Sequence, residues 1–366
     1  MRQTSQSVFK PLAVGAAVLL SVLSLAACGG DNDEEAPAAA AATGPMSAVE
    51  PVAERTEVKL AITGSQVLTL PLWLAVDKGY FDQVGLDVEL EPYRGSTNEL
   101  LPSLATGRLD IAPGTPSPAI YNQLEEGFDI RAIASLGEEK PDRIQSAWLT
   151  VLNDQADAFA DLPDLAGKRV EGAREGSPPA MLVNQALDAA GLTPGDVELT
   201  YRVQQPPDML AIARAGGADV IGMSEPLATQ AEQQGVVKKW KGVSDIMPWF
   251  QAGLLVASPA FLKDKPEAAA KFLAAYLVAC REINATNGEW TPELVEVVQK
   301  NFDISPDDIR AQGGVPYFNP AGEISAESLD RIQQMYVDDG VLKNPVELTE
   351  LTDTTPLDAA VAEVGK

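Results

Sequence analysis

From residue 57 onward the chain alternates short apolar runs with longer amphipathic segments that close on glycine, and this alternation limits its fold more than any other feature. The runs EVKLAIT, LDVELEPY, LDIAPG and DIRAIASLG read as strands, while PLWLAVDKGYF, TNELLPSLATG and SPAIYNQLEEG between them repeat apolar residues at helical spacing. After a break at EEKPDRIQ a second series begins, with AWLTVLN, KRVEGA, VELTYRV and ADVIGM as strands and PAMLVNQALDAAG, PPDMLAIARAGG and PLATQAEQQG as helices. Strand–helix alternation of this kind predicts two parallel-sheet α/β domains. The halves also share a local grammar: LATGRLDIAPGTPSPAIYNQLEEG and IARAGGADVIGMSEPLATQAEQQG each run helix, Gly, Asp three residues later, strand, loop, helix, closing Gly. The C-terminal part is helical, and in PEAAAKFLAAYLVACREI the residues Phe272, Leu273, Tyr276, Leu277, Cys280 and Ile283 share one face. Residues beyond about 345 read as loosely held.

The first 56 residues lack this grammar. MRQTSQSVFK carries Arg2 and Lys10, and the apolar run PLAVGAAVLLSVLSLAA is too short and too rich in small residues for an ordinary spanning helix. It ends in Leu25-Ala26-Ala27-Cys28, which resembles the bacterial lipoprotein box, where cleavage precedes the cysteine and the new N-terminal thiol is acylated. The expectation is a signal peptide over 1–27 and a lipid on Cys28. Residues 28–56 are acidic, then rich in Ala and Pro, with little to bury; they predict a disordered tether reaching about 30 Å from the membrane.

Charge narrows the partners. Against 27 Lys and Arg stand 53 Asp and Glu, for a net charge of -26. Phosphate-backbone binding needs a basic surface, so nucleic acid is excluded. The chain has no histidine, and its only cysteines are Cys28 and Cys280. That removes the commonest acid–base catalyst and metal ligand, and leaves too few thiols for a disulfide framework or zinc cluster. Cys280, on an apolar helix face, reads as a buried structural thiol. No nucleophile–base pair and no GxxxxGKS/T phosphate loop is visible. No catalytic residue, metal site or cofactor is expected.

Four segments carry a resemblance. LPLWLAVDKGYFDQVGLDVELEPY, LATGRLDIAPG, ADVIGMSEPLATQA and SPAFLKDKPEAAAKFLAAYLVACRE, in this order, resemble elements of the nitrate/sulfonate/taurine-type substrate-binding proteins of ABC importers. The resemblance spans residues 57 to about 340. It implies an α/β protein of the periplasmic-binding-protein-like type II fold: two α/β lobes joined by two crossovers, with a C-terminal helical part. Lobe I is expected over 57–143 and 258–345, lobe II over 144–257 and a C-terminal tail over 346–366, with the crossovers near EEKPDRIQ and MPWFQAG. It also implies closure on a small organic ligand and delivery to a permease driven by a cytoplasmic ATPase; together with the lipoprotein box, the expectation is a monomer anchored by lipid on the outer face of the cell membrane. The sequence departs from the family in lacking an aromatic after the first strand and in placing methionine in VIGMSEP. The same fold includes a thiamine-pyrimidine synthase that consumes its own histidine, which this chain does not have. The alternatives are a tethered ligand sensor and a binder of a thiamine-pyrimidine precursor.

Candidate site residues follow from the rule that ligands in open α/β sheets sit beyond the carboxyl ends of strands, at helix N-termini, where the first amides lack partners. Ser65 and Gln66 follow the first strand, and Trp73 lies in the next helix. Arg94 follows the second strand; Gly114, Thr115 and Ser117 follow the third, with Tyr121 and Asn122 a turn later. In AREGSPPAML, Gly176 lets the backbone approach a ligand, Ser177 caps the helix or turns its hydroxyl outward, and Arg174 meets an anion or pairs with Glu171 or Glu175. Glu225 takes a ligand donor or serves the helix start, and Trp249 stands near the return crossover. Arg94, Arg143 and Arg174 are the arginines placed at or beside the cleft. Aromatics at cleft positions with arginine point to a small organic anion such as an aromatic carboxylate or sulfonate.

Overall fold

The computed structural model describes residues 45–63, 67–93, 99–124, 126–174, 177–203 and 206–365. Its strands are β1 (Thr56–Ile62), β2 (Leu86–Pro92), β3 (Ile111–Gly114), β4 (Arg131–Ser135), β5 (Ala147–Leu152), β6 (Arg169–Glu171), β7 (Glu198–Thr200), β8 (Val220–Ser224), β9 (Val237–Gly242) and β10 (Leu254–Ala257). They form two five-stranded sheets, ordered β2-β1-β3-β10-β4 and β7-β6-β8-β5-β9.

Neither sheet is wholly parallel, which corrects the reading from sequence. β1 runs parallel to β2 and β3, but β10 lies antiparallel between β3 and β4. β6 runs parallel to β7 and β8, but β5 lies antiparallel between β8 and β9. The reason is the direction of arrival. β5 and β10 are the strands the chain makes on reaching a new sheet, and the crossovers start beyond the carboxyl ends of the other strands. β10 also moves a boundary: residues 254–257, assigned from sequence to lobe II, pair with Gly114 and Ser135 in the first sheet. β9, VKKWKG, was not read as a strand. It lies at a sheet edge, where lysines suit the unpaired side.

The repeated Gly–Asp element has a structural meaning. In one half the Asp110 backbone N–H donates to the Lys59 carbonyl at 2.9 Å, and the Asp110 carboxylate accepts from the Lys59 N–H at 2.9 Å. In the other, Asp219 makes the same two contacts with Arg169, at 2.8 and 3.0 Å. Each aspartate thus pins the start of a central strand to its parallel neighbour, and the strands that follow, β3 and β8, hold the same middle place in their sheets.

The Pro266–Ala285 helix is buried on nearly every face, with Phe272, Leu273, Tyr276, Leu277, Cys280 and Ile283 all at 0% exposure. Phe272 stacks on Phe81, with ring centroids 4.7 Å apart. Burial pushes the Cys280 thiol up to about 12, so it stays protonated. Two expectations fail at the ends of the chain. Met46, Val49 and Val52, placed in the tether, are buried in the first core, and the Val52 N–H donates to the Val84 carbonyl at 3.0 Å. The C-terminal tail is held, not loose: the Thr355–Val364 helix buries Leu357 and Ala360, and Lys271 reaches Glu363 at 2.8 Å. Cys28 and the signal peptide lie outside the described residues.

The two crossovers run side by side. The Glu139 N–H donates to the Phe250 carbonyl at 3.1 Å and the Ala252 N–H to the Gly137 carbonyl at 3.0 Å, while Glu138 bridges antiparallel to Gln251. Backbone hydrogen bonds thus tie the two crossovers to each other.

Candidate functional site

A cavity of about 1110 Å³ opens between the sheets. Its walls come from the loops after β1, β3, β6 and β8, from both crossovers, and from the segment around Phe302–Gln312. Four carboxyl ends of strands therefore converge on one space, as the general rule for open α/β sheets requires.

The β6 loop is built for this position. Ala173 is buried and takes a left-handed conformation (φ 65°), unusual for a residue with a Cβ, as the chain leaves the strand. Arg174 follows, exposed and lining the cavity. Among the described residues it has no ion-pair partner; Glu171, one of its candidate partners, is buried and bonded to Arg202 at 2.8 Å and to Thr200 at 2.8 Å. Ser177 lines the cavity and caps the Pro178–Ala189 helix, its hydroxyl accepting from the Ala180 N–H at 3.4 Å. Gly222 on β8 sets the height of that helix start: a Cβ there would come within 2.9 Å of the Pro179 carbonyl oxygen.

Glu225 lines the cavity with its carboxylate already engaged. It accepts from the Thr229 N–H at 3.1 Å and hydroxyl at 2.9 Å, and Lys239 lies at 3.3 Å. Burial raises its pKa and Lys239 opposes the rise. Both of its sequence readings thus have a place, since the same carboxylate caps a helix turn and faces the cavity. Thr115, Ser117 and Asn122 also line it.

Four predicted residues lie outside the lining. Trp73 donates its indole N–H to the Thr63 carbonyl at 3.1 Å and sets its edge against Phe302. Gly114 is buried in β3 opposite Leu254. Tyr121 is fully buried, its hydroxyl donating to the Leu329 carbonyl at 3.0 Å. Trp249 lies under the Arg331 guanidinium, 4.9 Å from the ring centroid. Arg143 also leaves the cleft, its guanidinium packed against Gly288. Apart from Gly114, each of these side chains makes a contact within the protein: two indoles, a phenol and a guanidinium. Ser65, Gln66, Arg94 and Gly176 lie outside the described residues.

Three aromatics line the cavity: Phe250, which with Trp249 was placed near the return crossover from sequence, and Phe302 and Tyr336, which were not. Sequence reasoning missed the C-terminal contribution of Phe302, Ile304 and Ile309, three apolar residues spaced among aspartates around the Ser305-Pro306 helix start. It also missed Glu139 in the first crossover. Glu139 is 2% exposed, and its Oε1 accepts the Ser146 N–H at 3.0 Å.

Two mixed α/β lobes, a pair of crossovers between them and a cavity at the strand ends define a protein of the periplasmic-binding-protein fold. The chain belongs to the NMT1/THI5-like family, whose model matches residues 67–286. It is 24% identical to YtlA of Bacillus subtilis (strain 168) over 262 residues, 69% of this chain and 73% of that one. Among solved structures it is similar to a ligand-binding component of an ABC-type import system from Staphylococcus aureus, solved with zinc bound (TM-score 0.63, 16% identity, 83% of this chain and 99% of that chain). It is also similar to the periplasmic aliphatic sulphonate binding protein SsuA of Escherichia coli (TM-score 0.62, 18% identity, 81% and 92%). No helix among the described residues is long and apolar enough to cross a membrane.

Proposed function

We propose that this protein is the substrate-binding component of an ABC importer, capturing a small organic solute between its lobes and handing it to a permease coupled to a cytoplasmic ATPase. The observation that carries the reading is the 1110 Å³ cavity at the strand ends of both sheets, floored by the two crossovers about which the lobes can close. The family supports it, and so do the names of the structural relatives. Binding rather than chemistry fits a chain with no histidine and a protonated, buried Cys280. A small acid group on the solute fits Arg174, whose guanidinium matches a carboxylate or sulfonate bidentately beside the Ser177 helix start. Phe250, Phe302 and Tyr336 would cover a flat apolar body.

A thermal-shift screen of the full chain against organic acids, sulfonates, pyrimidines and flavins tests this directly, because a ligand bound by the folded state raises the melting temperature. Arg174→Ala is expected to weaken binding of an acid found this way by about 2 kcal/mol, roughly thirtyfold, while the ligand-free melting temperature barely moves. Unchanged affinity would remove Arg174 from the site and leave the transport reading with a different anion contact.

The lipid anchor belongs to the same proposal and rests on Leu25-Ala26-Ala27-Cys28. The proposed form is a monomer held on the outer face of the cell membrane. Cys28→Ser is expected to yield soluble protein or uncleaved precursor with no incorporation of labelled fatty acid. Label in the mutant would show that the thiol is not the attachment point.

A further inference from the structure

Resting on the reading of this cavity as the solute site, we infer that Glu139 and Ser146 form a subsite for a nitrogen donor on the solute, so that the transported acid also carries an amine, amidine or comparable N–H group. The observation behind it is an unfinished pair of polar groups. Both residues line the cavity. The Glu139 side chain is buried, its Oε1 accepts the Ser146 N–H, and Oε2 has no hydrogen-bond partner among the described residues. The Ser146 hydroxyl is likewise buried with no hydrogen bond of good geometry, although it lies close enough to the Glu139 carboxylate to oppose the rise in its pKa. Buried polar atoms are almost always satisfied, and a carboxylate oxygen is the costliest to leave bare.

The neighbours do not supply the missing partner. The Gln145 amide is engaged at both ends, Nε2 donating to the Lys140 carbonyl at 2.7 Å and Oε1 accepting the Ser244 N–H at 2.7 Å. Lys140 pairs with Glu138 at 3.0 Å and lies over the Tyr317 ring. Lys239 sits with Glu225 and Thr229. The lining supplies carboxylates from Glu126, Glu138, Glu139, Glu225, Asp303 and Asp308, against Arg174 as its one basic side chain among the described residues. Glu138 and Glu225 are compensated by their lysines, but Glu139 has no ion pair among the described residues, and an anion with no donor would meet it unfavourably. A solute with an acid at one end and a nitrogen at the other meets both kinds of group.

The chemistry of the pair selects nitrogen. An ionised carboxylate only accepts hydrogen bonds, while the serine hydroxyl both donates and accepts. A protonated amine or amidine offers several N–H donors and a positive charge, so it satisfies Oε2 and the hydroxyl together. Burial pushes the Glu139 carboxyl up to about 7, against which the Ser146 backbone and side chain act. A bound cation favours the ionised form that burial disfavours. The position adds a consequence for transport. Glu139 is hydrogen-bonded through its backbone to Phe250 of the other crossover, so a ligand held there touches the joint between the lobes.

The test uses matched probes on the full chain, by titration calorimetry: 4-(aminomethyl)benzoate against 4-methylbenzoate, and 4-(aminomethyl)benzenesulfonate against toluene-4-sulfonate. The members of each pair share the acid and differ in the nitrogen. The expected result is that the amine member of at least one pair binds about tenfold more tightly or better. Glu139→Gln, which keeps an acceptor for the Ser146 N–H, should abolish that preference, and Ser146→Ala should reduce it. Arg174→Ala should weaken both members of the pair alike. If the nitrogen-free members bind as well as their partners, or Glu139→Gln keeps the preference, the nitrogen subsite is wrong and the importer reading stands. If no member of either pair binds the wild type, the subsite falls together with the assignment of an organic acid to this cavity. Circular dichroism of Glu139→Gln checks its fold, and Ser146→Ala reads the same subsite if that variant is unfolded.

Discussion

Phe272→Ala is expected to lower the unfolding free energy by about 3–5 kcal/mol, the range for truncating a buried aromatic ring to a methyl group. Phe272 is 0% exposed in the middle of the Pro266–Ala285 helix, stacked on Phe81 at 4.7 Å with the rings 16° apart. That helix is packed on several sides, against the Leu70–Asp77 and Tyr80–Gln83 helices, β2 and the Thr355–Val364 helix. Elements clamped from several directions cannot close inward on a void. The loss therefore includes the vacated volume and the ring contact with Phe81, as well as the transfer of the ring to water. Urea unfolding followed by circular dichroism gives the value. A loss below about 1 kcal/mol would mean that the helix is not central to the first lobe's stability.

Much of this core was legible from residues alone. Phe272, Leu273, Tyr276, Leu277, Cys280 and Ile283 recur at helical spacing, and all six are buried. The Gly–Asp element was legible too, because a short carboxylate placed before a strand has a local job, bonding the neighbouring strand's N–H, and that job repeats in both halves. What sequence could not supply was direction and destination. LLVA at β10 is a short apolar run whose place between β3 and β4 depends on where the crossover delivers it. Trp73, Tyr121 and Trp249 stand near strand ends, yet each has a polar atom or ring face matched within the protein: the Thr63 carbonyl, the Leu329 carbonyl and the Arg331 guanidinium. Aromatic side chains are long enough to reach either way, so spacing along the chain does not fix which way they turn. Phe302 and Tyr336 reach the cavity from segments far along the chain, a proximity created by the return of the C-terminal part to the first lobe. Glu139 was hidden for a different reason. In EEKPDR it reads as one more charge in an acidic chain, and only the fold buries it.

That burial sets the second large effect. Glu139→Gln is expected to make the protein more stable than wild type by roughly 3 kcal/mol at pH 8 and by less than about 1 kcal/mol at pH 5. The folded protein holds the Glu139 carboxyl near 7 against an ordinary value of 4.5, with desolvation the largest cause and Ser146 opposing it. Because the folded-state midpoint is the higher one, the folded chain keeps its proton between pH 4.5 and 7 while the unfolded chain has released it. Wild-type stability contributed by this group is therefore full below about 4.5, falls through that interval and is lost above about 7. Glutamine has nothing to ionise, so the difference between the two proteins should grow with pH and then level off. The charged groups nearest in the cavity wall do not reverse the trend, since Glu138 is paired with Lys140 and Glu225 with Lys239. Urea unfolding of both proteins at pH 5, 6, 7 and 8 measures the curve. A difference that stays flat would show that Glu139 ionises as an exposed carboxylate does. A rising one would establish that the protein keeps, beside the crossovers, a carboxyl whose ionisation destabilises the empty state.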